Sequence, residues 1–287
     1  MVNFNNPRQK AKAAIRASIP SDLWLANSDF VAQLSQKVKN HQVATHPAIE
    51  LLNRGTFNPE QMVAIHLDYR HAIVQIFTDA LLMAQYQTCQ LEPRLTPGSK
   101  MSARFLITLN DLDEFGFRPG LDKYGYYLGN PSQAHYPLFE EVLDRLGVSQ
   151  HQRKSYVPTK VAKQTRQFLE NAYSDLCSVV SLLAVAEEEV VLFSAPLREN
   201  TRAVGIDVSS GYYACHGSNE DLLADARDDD HANDLWYVLI QALTPQRYGE
   251  IEKLAQEYCD VWVKFWDAQI SLLQTNEEHS LMLAQQI

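Results

Sequence analysis

Apolar residues recur at steps of three and four through most of this chain, and that period limits what it can fold into more than any other feature. Met62, Ile65, Tyr69, Ile73, Phe77 and Leu81 fall on one face of a helix. Asn58-Pro59-Glu60-Gln61 opens it: an Asn side chain accepts from first-turn N–H groups, and Pro suits the first helical position. The pattern predicts one long helix that ends before Glu92-Pro93, followed by a loop over 93–100. Further helices are expected through Phe105 to Leu112, and from an Asn130-Pro131 cap through Leu138, Phe139, Val142, Leu143 and Leu146 to Gly147. A long one is expected over about 160–195, with Leu169, Ala172, Leu176, Val180 and Leu183 inward. After a loop at 197–210 come a short helix at 211–216, an acidic segment at 217–227 and a helix over about 226–242. Thr244-Pro245 caps the last, with Ile251, Leu254, Tyr258, Val261 and Phe265 inward. Residues 7–18 and 28–41 are helix-compatible and more polar, and 116–134 reads as an irregular Gly- and Tyr-containing insertion. No strand pair with a hairpin signal and no repeat of fixed period is evident. The chain has 287 residues but only 11 Gly and 12 Pro, which also favours helices. The expectation is one all-α domain over 1–287, with 1–40 as an N-terminal helical extension.

Charge narrows the function classes. Lys and Arg number 25 against 35 Asp and Glu, a formal charge of −10. Phosphate backbones need clustered cations, so nucleic acid is not an expected partner. No run of 18 apolar residues argues for a membrane span, and no secretory segment follows Met1. Cys89, Cys177, Cys215 and Cys259 form no CxxC pair and read as reduced thiols of a cytoplasmic protein.

The informative residues are polar ones that interrupt apolar stripes. The stripe through 176, 180 and 183 continues to Glu187, and a buried carboxylate must be paired, protonated or bound to metal. A helix-end glutamate reaching water is the plainer alternative. Glu188 and Glu189 point elsewhere and read as solvated acids. Asp228 and His231 are three apart, so they share the face that continues through Leu235, Val238 and Ala242. Such a carboxylate-x-x-His pair is the spacing with which helical bundles grip metals, though an acidic cap with a surface histidine has the same spacing. Glu114 ends an apolar helix, His135 begins the next, and His216 follows Tyr212-Tyr213-Ala214-Cys215. A surface acid, a helix-start histidine and a core histidine are their plain alternatives. Together these are three carboxylates and three histidines, mixed O and N donors that suit iron or manganese; zinc stays open.

Several of these runs resemble a known group. Thr45-His46-Pro47, Leu51-Leu52-Asn53-Arg54-Gly55 and Asn58-Pro59-Glu60-Gln61 are similar to the opening of heme-oxygenase-like helical proteins, including TenA-, PqqC- and CADD-like members. Asn110-Asp111-Leu112-Asp113-Glu114-Phe115-Gly116, His135 with Leu138-Phe139, Tyr213-Ala214-Cys215-His216 and Asp228-Asp229-Asp230-His231 resemble later positions, so the likeness covers roughly 40–270. It implies a heme-oxygenase-like bundle of about seven core helices. Its di-iron oxygenase and oxidase branch is the most similar. That resemblance implies Glu114, His135, Glu187, His216, Asp228 and His231 as ligands of two irons, or of Fe and Mn, that activate O2 against a small organic substrate. Two spacings depart from the branch: Glu114 to His135 spans the insertion, and His216 lies farther from Asp228 than usual. Asp225 could replace Asp228 in a shifted register. The alternative on the same fold is a metal-free TenA- or PqqC-like enzyme or a small-molecule binding protein, with no cofactor. A TenA-like thiaminase would need a nucleophilic thiol, for which Cys177 and Cys215 are the candidates. A heme oxygenase would need a proximal histidine in its first helix, and 7–18 has none. The aromatic last helix, with Tyr258, Trp262, Phe265 and Trp266, could face a partner subunit in a homodimer.

Overall fold

A computed structural model describes residues 6–215 and 222–284, with backbone alone over 222–229 and 274–284. The helices are α1 (Pro7–Ala17), α2 (Ser21–Lys39), α3 (Pro47–Asn53), α4 (Pro59–Tyr69), α5 (Phe77–Gln87), α6 (Lys100–Glu114), α7 (His135–Arg145), α8 (Gln150–Ser155), α9 (Lys160–Glu170), α10 (Leu176–Ala203), α11 (Tyr212–Cys215), α12 (Leu222–Ala242) and α13 (Tyr248–Ala284). An antiparallel pair, β1 (Phe117–Leu121) and β2 (Tyr127–Gly129), interrupts them. The chain is an all-α bundle, as the periodicity predicts.

Helix α10 is the axis. It packs against α12, α3, α13 and α5, and Val179, Val180, Leu182, Leu183, Ala184 and Ala186 are all fully buried. Being enclosed on every side is why this helix is apolar around most of its circumference rather than along one stripe. The rings of the last helix belong to the same core. Tyr258, Trp262, Phe265 and Trp266 are buried within the chain, Trp266 stacked on Phe193 at 4.1 Å, so these four rings are not available to a partner subunit. Residues 7–39 are fastened to the bundle as well. On α1, Arg8 Nε lies 2.8 Å and Lys12 Nζ 2.7 Å from the Asp234 carboxylate of α12. On α2, Asn27 Nδ2 donates to the carbonyls of Ile240 (2.8 Å) and Leu243 (3.0 Å).

Several predicted boundaries move. The helix expected to run unbroken from Asn58 is two helices, α4 and α5, joined by a π-helical turn over Arg70–Val74. The Asn58 cap is present as a full capping box with Gln61. The helix expected over 160–195 is likewise two, α9 and α10, and α10 runs on to Ala203 through what was expected to be loop. Asp175 caps its start by accepting from the Ser178 N–H at 2.8 Å. Asn130 caps a short 3-10 turn, Pro131–Gln133, rather than α7, and Thr244 makes no side-chain cap bond.

The insertion at 116–134 folds into the β1–β2 hairpin, and its base is where the local constraint is tightest. Gly116 sits at φ +78°, and a Cβ there would lie 2.5 Å from the Ala134 backbone N. Gly129 would meet the Gly116 and Phe117 backbone at 2.8 Å. Only glycine at these two points lets the strands' ends close, sealed by the Asn130 N–H donating to the Gly116 carbonyl at 3.2 Å. The closure draws the end of α6 to the start of α7. Gly116→Ala combines left-handed strain with a backbone clash. It should lower the unfolding temperature by on the order of 5 °C, read by scanning calorimetry; Gly125→Ala at the open tip, where a Cβ meets nothing within 4 Å, should cost clearly less.

Candidate active site

Where the π turn, α5, α6, α7, α10 and α11 meet, a small cavity of about 30 Å³ is lined by Ile73, Val74, Phe77, Glu114, His135, Tyr136, Glu187, Val190 and Tyr212. Three of the six sequence-identified ligand candidates, Glu114, His135 and Glu187, thus face one space. Each is less than a tenth exposed. Hairpin closure explains the first two: Glu114 ends α6, His135 begins α7, and Glu114 Oε1 lies 2.8 Å from His135 Nδ1. Glu187 arrives from the axial helix and accepts from Asn110 Nδ2 at 2.6 Å. The π turn supplies Ile73 and Val74 to the lining. The Tyr136 hydroxyl is fixed by Arg70 (3.0 Å) and Gln75 (3.2 Å), and the Tyr212 ring stands edge-on to Phe139 at 4.9 Å.

His231 is also buried but is not among the residues that line this cavity; its Nε2 lies 4.0 Å from Oδ2 of Asp113, the sequence neighbour of Glu114. His216 lies outside the described residues. Asp228 and Asp225 fall in the part of α12 where only the backbone is described, Asp228 three residues before His231. Among the described residues, no three His, Cys, Asp or Glu side chains form a group that could hold a metal ion.

The electrostatics favour proton-holding states. Burial, the largest influence on His135, opposes the imidazolium, but the Glu114 carboxylate and a hydrogen bond with Cys215 outweigh it and lift its pKa well above the usual histidine value. On the same face of α6, burial lifts Asp111 to about 6, against a hydrogen bond from Gln85 that pulls it down. The two thiols considered as nucleophiles separate clearly. Cys215 borders His135, whereas Cys177 is buried elsewhere and its thiol is pushed up to about 12 by desolvation.

Three residues were not singled out for these places by sequence. Asn110 holds Glu187; its place in the run before Glu114 was visible, its partner was not. Cys215 joins the Glu114–His135 pair. Glu189 corrects an expectation: it is not solvated but 2% exposed, accepting from the Tyr69 hydroxyl at 2.8 Å and from Trp266 Nε1 at 2.9 Å. Its signal, a third acid in a run flanked by valines, is indistinguishable from a surface helix end. Burial, only partly offset by those two donors, lifts Glu189 to about 8.

That value sets a pH dependence. An unfolded glutamate ionises near pH 4.5, so Glu189 favours the fold fully below that pH and loses this contribution as pH rises toward 8. Glu189→Gln removes the ionisation and keeps neutral hydrogen bonding. Its unfolding temperature relative to wild type should rise by on the order of 5 °C between pH 5 and pH 8; a gap that does not change with pH would contradict the buried neutral acid.

No protein-family model matches the sequence, and no curated protein matches it. Solved structures do match in fold. A CADD-like protein from Nostoc punctiforme superposes with a TM-score of 0.59 at 13% identity, over 87% of this chain and 99% of that one. A TenA homolog from Pseudomonas syringae pv. tomato gives 0.57 at 14% identity, over 85% and 92%. A TenA homologue from P. horikoshii OT3 gives 0.55 at 13%, over 85% and 97%. The chain therefore has the helical fold of CADD-like and TenA-like proteins.

Proposed function

We propose that the chain is a non-heme di-iron oxidase or oxygenase, with Glu114, His135, Glu187, His216, Asp228 and His231 as the metal-binding set. The observation that carries this reading is the convergence of Glu114, His135 and Glu187 on one buried cavity from three helices. Two carboxylates and an imidazole face a space whose described lining holds no lysine or arginine, oxygen and nitrogen donors of the kind iron takes; these three alone do not form a metal-holding group, so the reading requires the other three residues of the set. Asp228 and His231 belong to α12, and with His216 they complete the proposed set. When bound, iron supplies the binding and reductive activation of O2.

The chain's own residues have definable tasks. Asn110 pins one Glu187 oxygen. Glu114 fixes the His135 ring through Nδ1, which sets the tautomer of the neutral form. Ile73, Val74, Phe77 and Val190 give the space an apolar wall that excludes water. The Tyr136 hydroxyl, held by Arg70 and Gln75, orients a polar group on the substrate. Ligand histidines must shed their protons to bind metal, so metal retention should fall at acid pH.

A second reading has its own observation. Cys215, His135 and Glu114 are linked in series, which is the nucleophile, base and orienting acid of thiol catalysis. This supports a metal-free enzyme of the TenA-like kind on the same fold.

One set of measurements separates them. Protein purified from iron-supplemented cells should contain iron by elemental analysis, and anaerobic reduction followed by O2 should produce a near-ultraviolet absorbance. His231→Ala should lose more than half of the metal. Asn110→Ala should retain metal less tightly, by roughly tenfold, as loss of an outer hydrogen bond to a ligand does. Metal-free protein whose Cys215 is alkylated by iodoacetamide faster than Cys89, an effect abolished by His135→Ala, would instead establish the thiol reading.

A further inference from the structure

Exposed apolar surface is concentrated on one stretch of the chain. Among the described residues, thirteen large hydrophobic side chains are exposed, and ten of them fall between Leu82 and Leu128, on α5, α6 and the hairpin. Helices α5 and α6 pack side by side, and β1 follows directly on α6. On α6, Met101, Phe105 and Leu112 share a face at about 100° per residue, opposite the buried Ala103, Ile107 and Asn110. A surface helix normally carries polar residues on that outer face. On the hairpin, Leu121 is the cross-strand partner of Tyr127, and the Phe117 ring stands edge-on to Tyr127 at 6.3 Å, so these three share one face. Tyr124 and Tyr126, at the turn, are 71% and 73% exposed.

We propose that this surface, the hairpin together with the outer side of α5 and α6, is where two copies of the chain pair about a two-fold axis. Area is the first reason. At roughly 200 Å² per aromatic side chain, the open parts of Tyr86, Phe105, Phe117, Tyr124, Tyr126 and Tyr127 come to roughly 700 Å². An ordinary monomer tolerates an apolar patch of about 300–600 Å². Leu82, Met101, Leu121 and Leu128 bring the total to the approximately 800 Å² that each partner gives a standard interface. Charge is the second reason. Residues 82–128 hold five Lys and Arg against five Asp and Glu, a neutral stretch in a chain of −10. The whole acid excess therefore lies elsewhere in the sequence, and two copies meet here without pressing it together. The same neutrality gives an anionic lipid surface nothing to attract. Tyrosine is also a residue type that interfaces favour. The strand edges are not the means of contact: Pro119 lies within β1 and the register slips between Arg118 and Leu121, which disfavours strand addition. A two-fold contact is self-complementary, so Asp122 and Lys123, adjacent at the turn, can each meet the opposite charge on the other copy. The proposal goes beyond the metal reading, since none of these exposed side chains belongs to the proposed ligand set.

The test is sedimentation velocity of the full chain over a range of micromolar concentrations. A reversible dimer of twice the chain mass should appear. Replacing Tyr124, Tyr126 and Tyr127 together by Ser should weaken it by at least about tenfold, as loss of central interface tyrosines does. Phe105→Glu, which sets a charge on the outer face of α6, should do the same by a separate route. Both changes fall on exposed side chains, and circular dichroism checks that each variant keeps the helical fold. Val157→Ser removes an equally open apolar side chain, 74% exposed, from outside the surface, and should leave the dimer unchanged. Because the contact is apolar and the chains repel through charge elsewhere, the dimer should hold or strengthen from low to physiological salt. A monomer at every concentration, a dimer indifferent to both interface variants, or one lost equally in Val157→Ser would overturn the proposal. So would a monomer that instead co-sediments with phosphatidylcholine vesicles through the same tyrosines. Iron content enters none of these readouts, so failure here and failure of the proposed oxidase activity are distinguishable.

Discussion

Burying carboxylates on a helix that solvent does not reach is the constraint on which this structure turns. Taking an unpaired carboxylate out of water costs far more than a domain's net stability can absorb, so each must be neutralised, paired or bound. Glu187 and Glu189 sit two residues apart on α10 and meet that demand differently. Glu187 takes the Asn110 amide and faces a cavity with a second acid and an imidazole. Glu189 takes a phenol and an indole N–H and stays protonated through neutral pH. The bundle around α10 is arranged to supply these partners: Tyr69 from α4, Asn110 from α6, Trp266 from α13.

The cavity also depends on a distant closure. Glu114 and His135 lie on successive helices, yet their side chains touch because the hairpin between them shuts at Gly116 and Gly129. For closure, the exposed strands need little sequence specificity, whereas any side chain at the two glycines of the base meets backbone at under 3 Å. Twenty residues can therefore be inserted between two functional groups at small entropic cost, because loop closure grows only slowly with length. Around the rim, the π turn between α4 and α5 contributes Ile73 and Val74.

How much was readable follows from this geometry. The Asn58–Gln61 cap and the inward placement of Glu187 were legible because they depend on local spacing alone. Glu114 and His135 stood out as polar residues at the ends of apolar helices, but their contact did not, since it rests on backbone packing at Gly116. The breaks at Arg70–Val74 and between Glu170 and Leu176 were hidden because the apolar phase continues across both. The hairpin was hidden because β1 and β2 are exposed on both faces and so show no alternation. Glu189 was misread because an amphipathic reading allows one buried face. On an axial helix there are two, and residues 187 and 189 are about 200° apart. The fold likeness to CADD-like and TenA-like proteins accounts for the architecture; the chemistry has to come from these side chains.

The most direct test of the central claim is a crystal of iron-loaded protein measured at the iron absorption edge. The account predicts anomalous density in the cavity, within bonding distance of Glu114, His135 and Glu187 and bounded by side chains from α12. An iron-loaded crystal with no density there, or with density only at surface carboxylates, would contradict it.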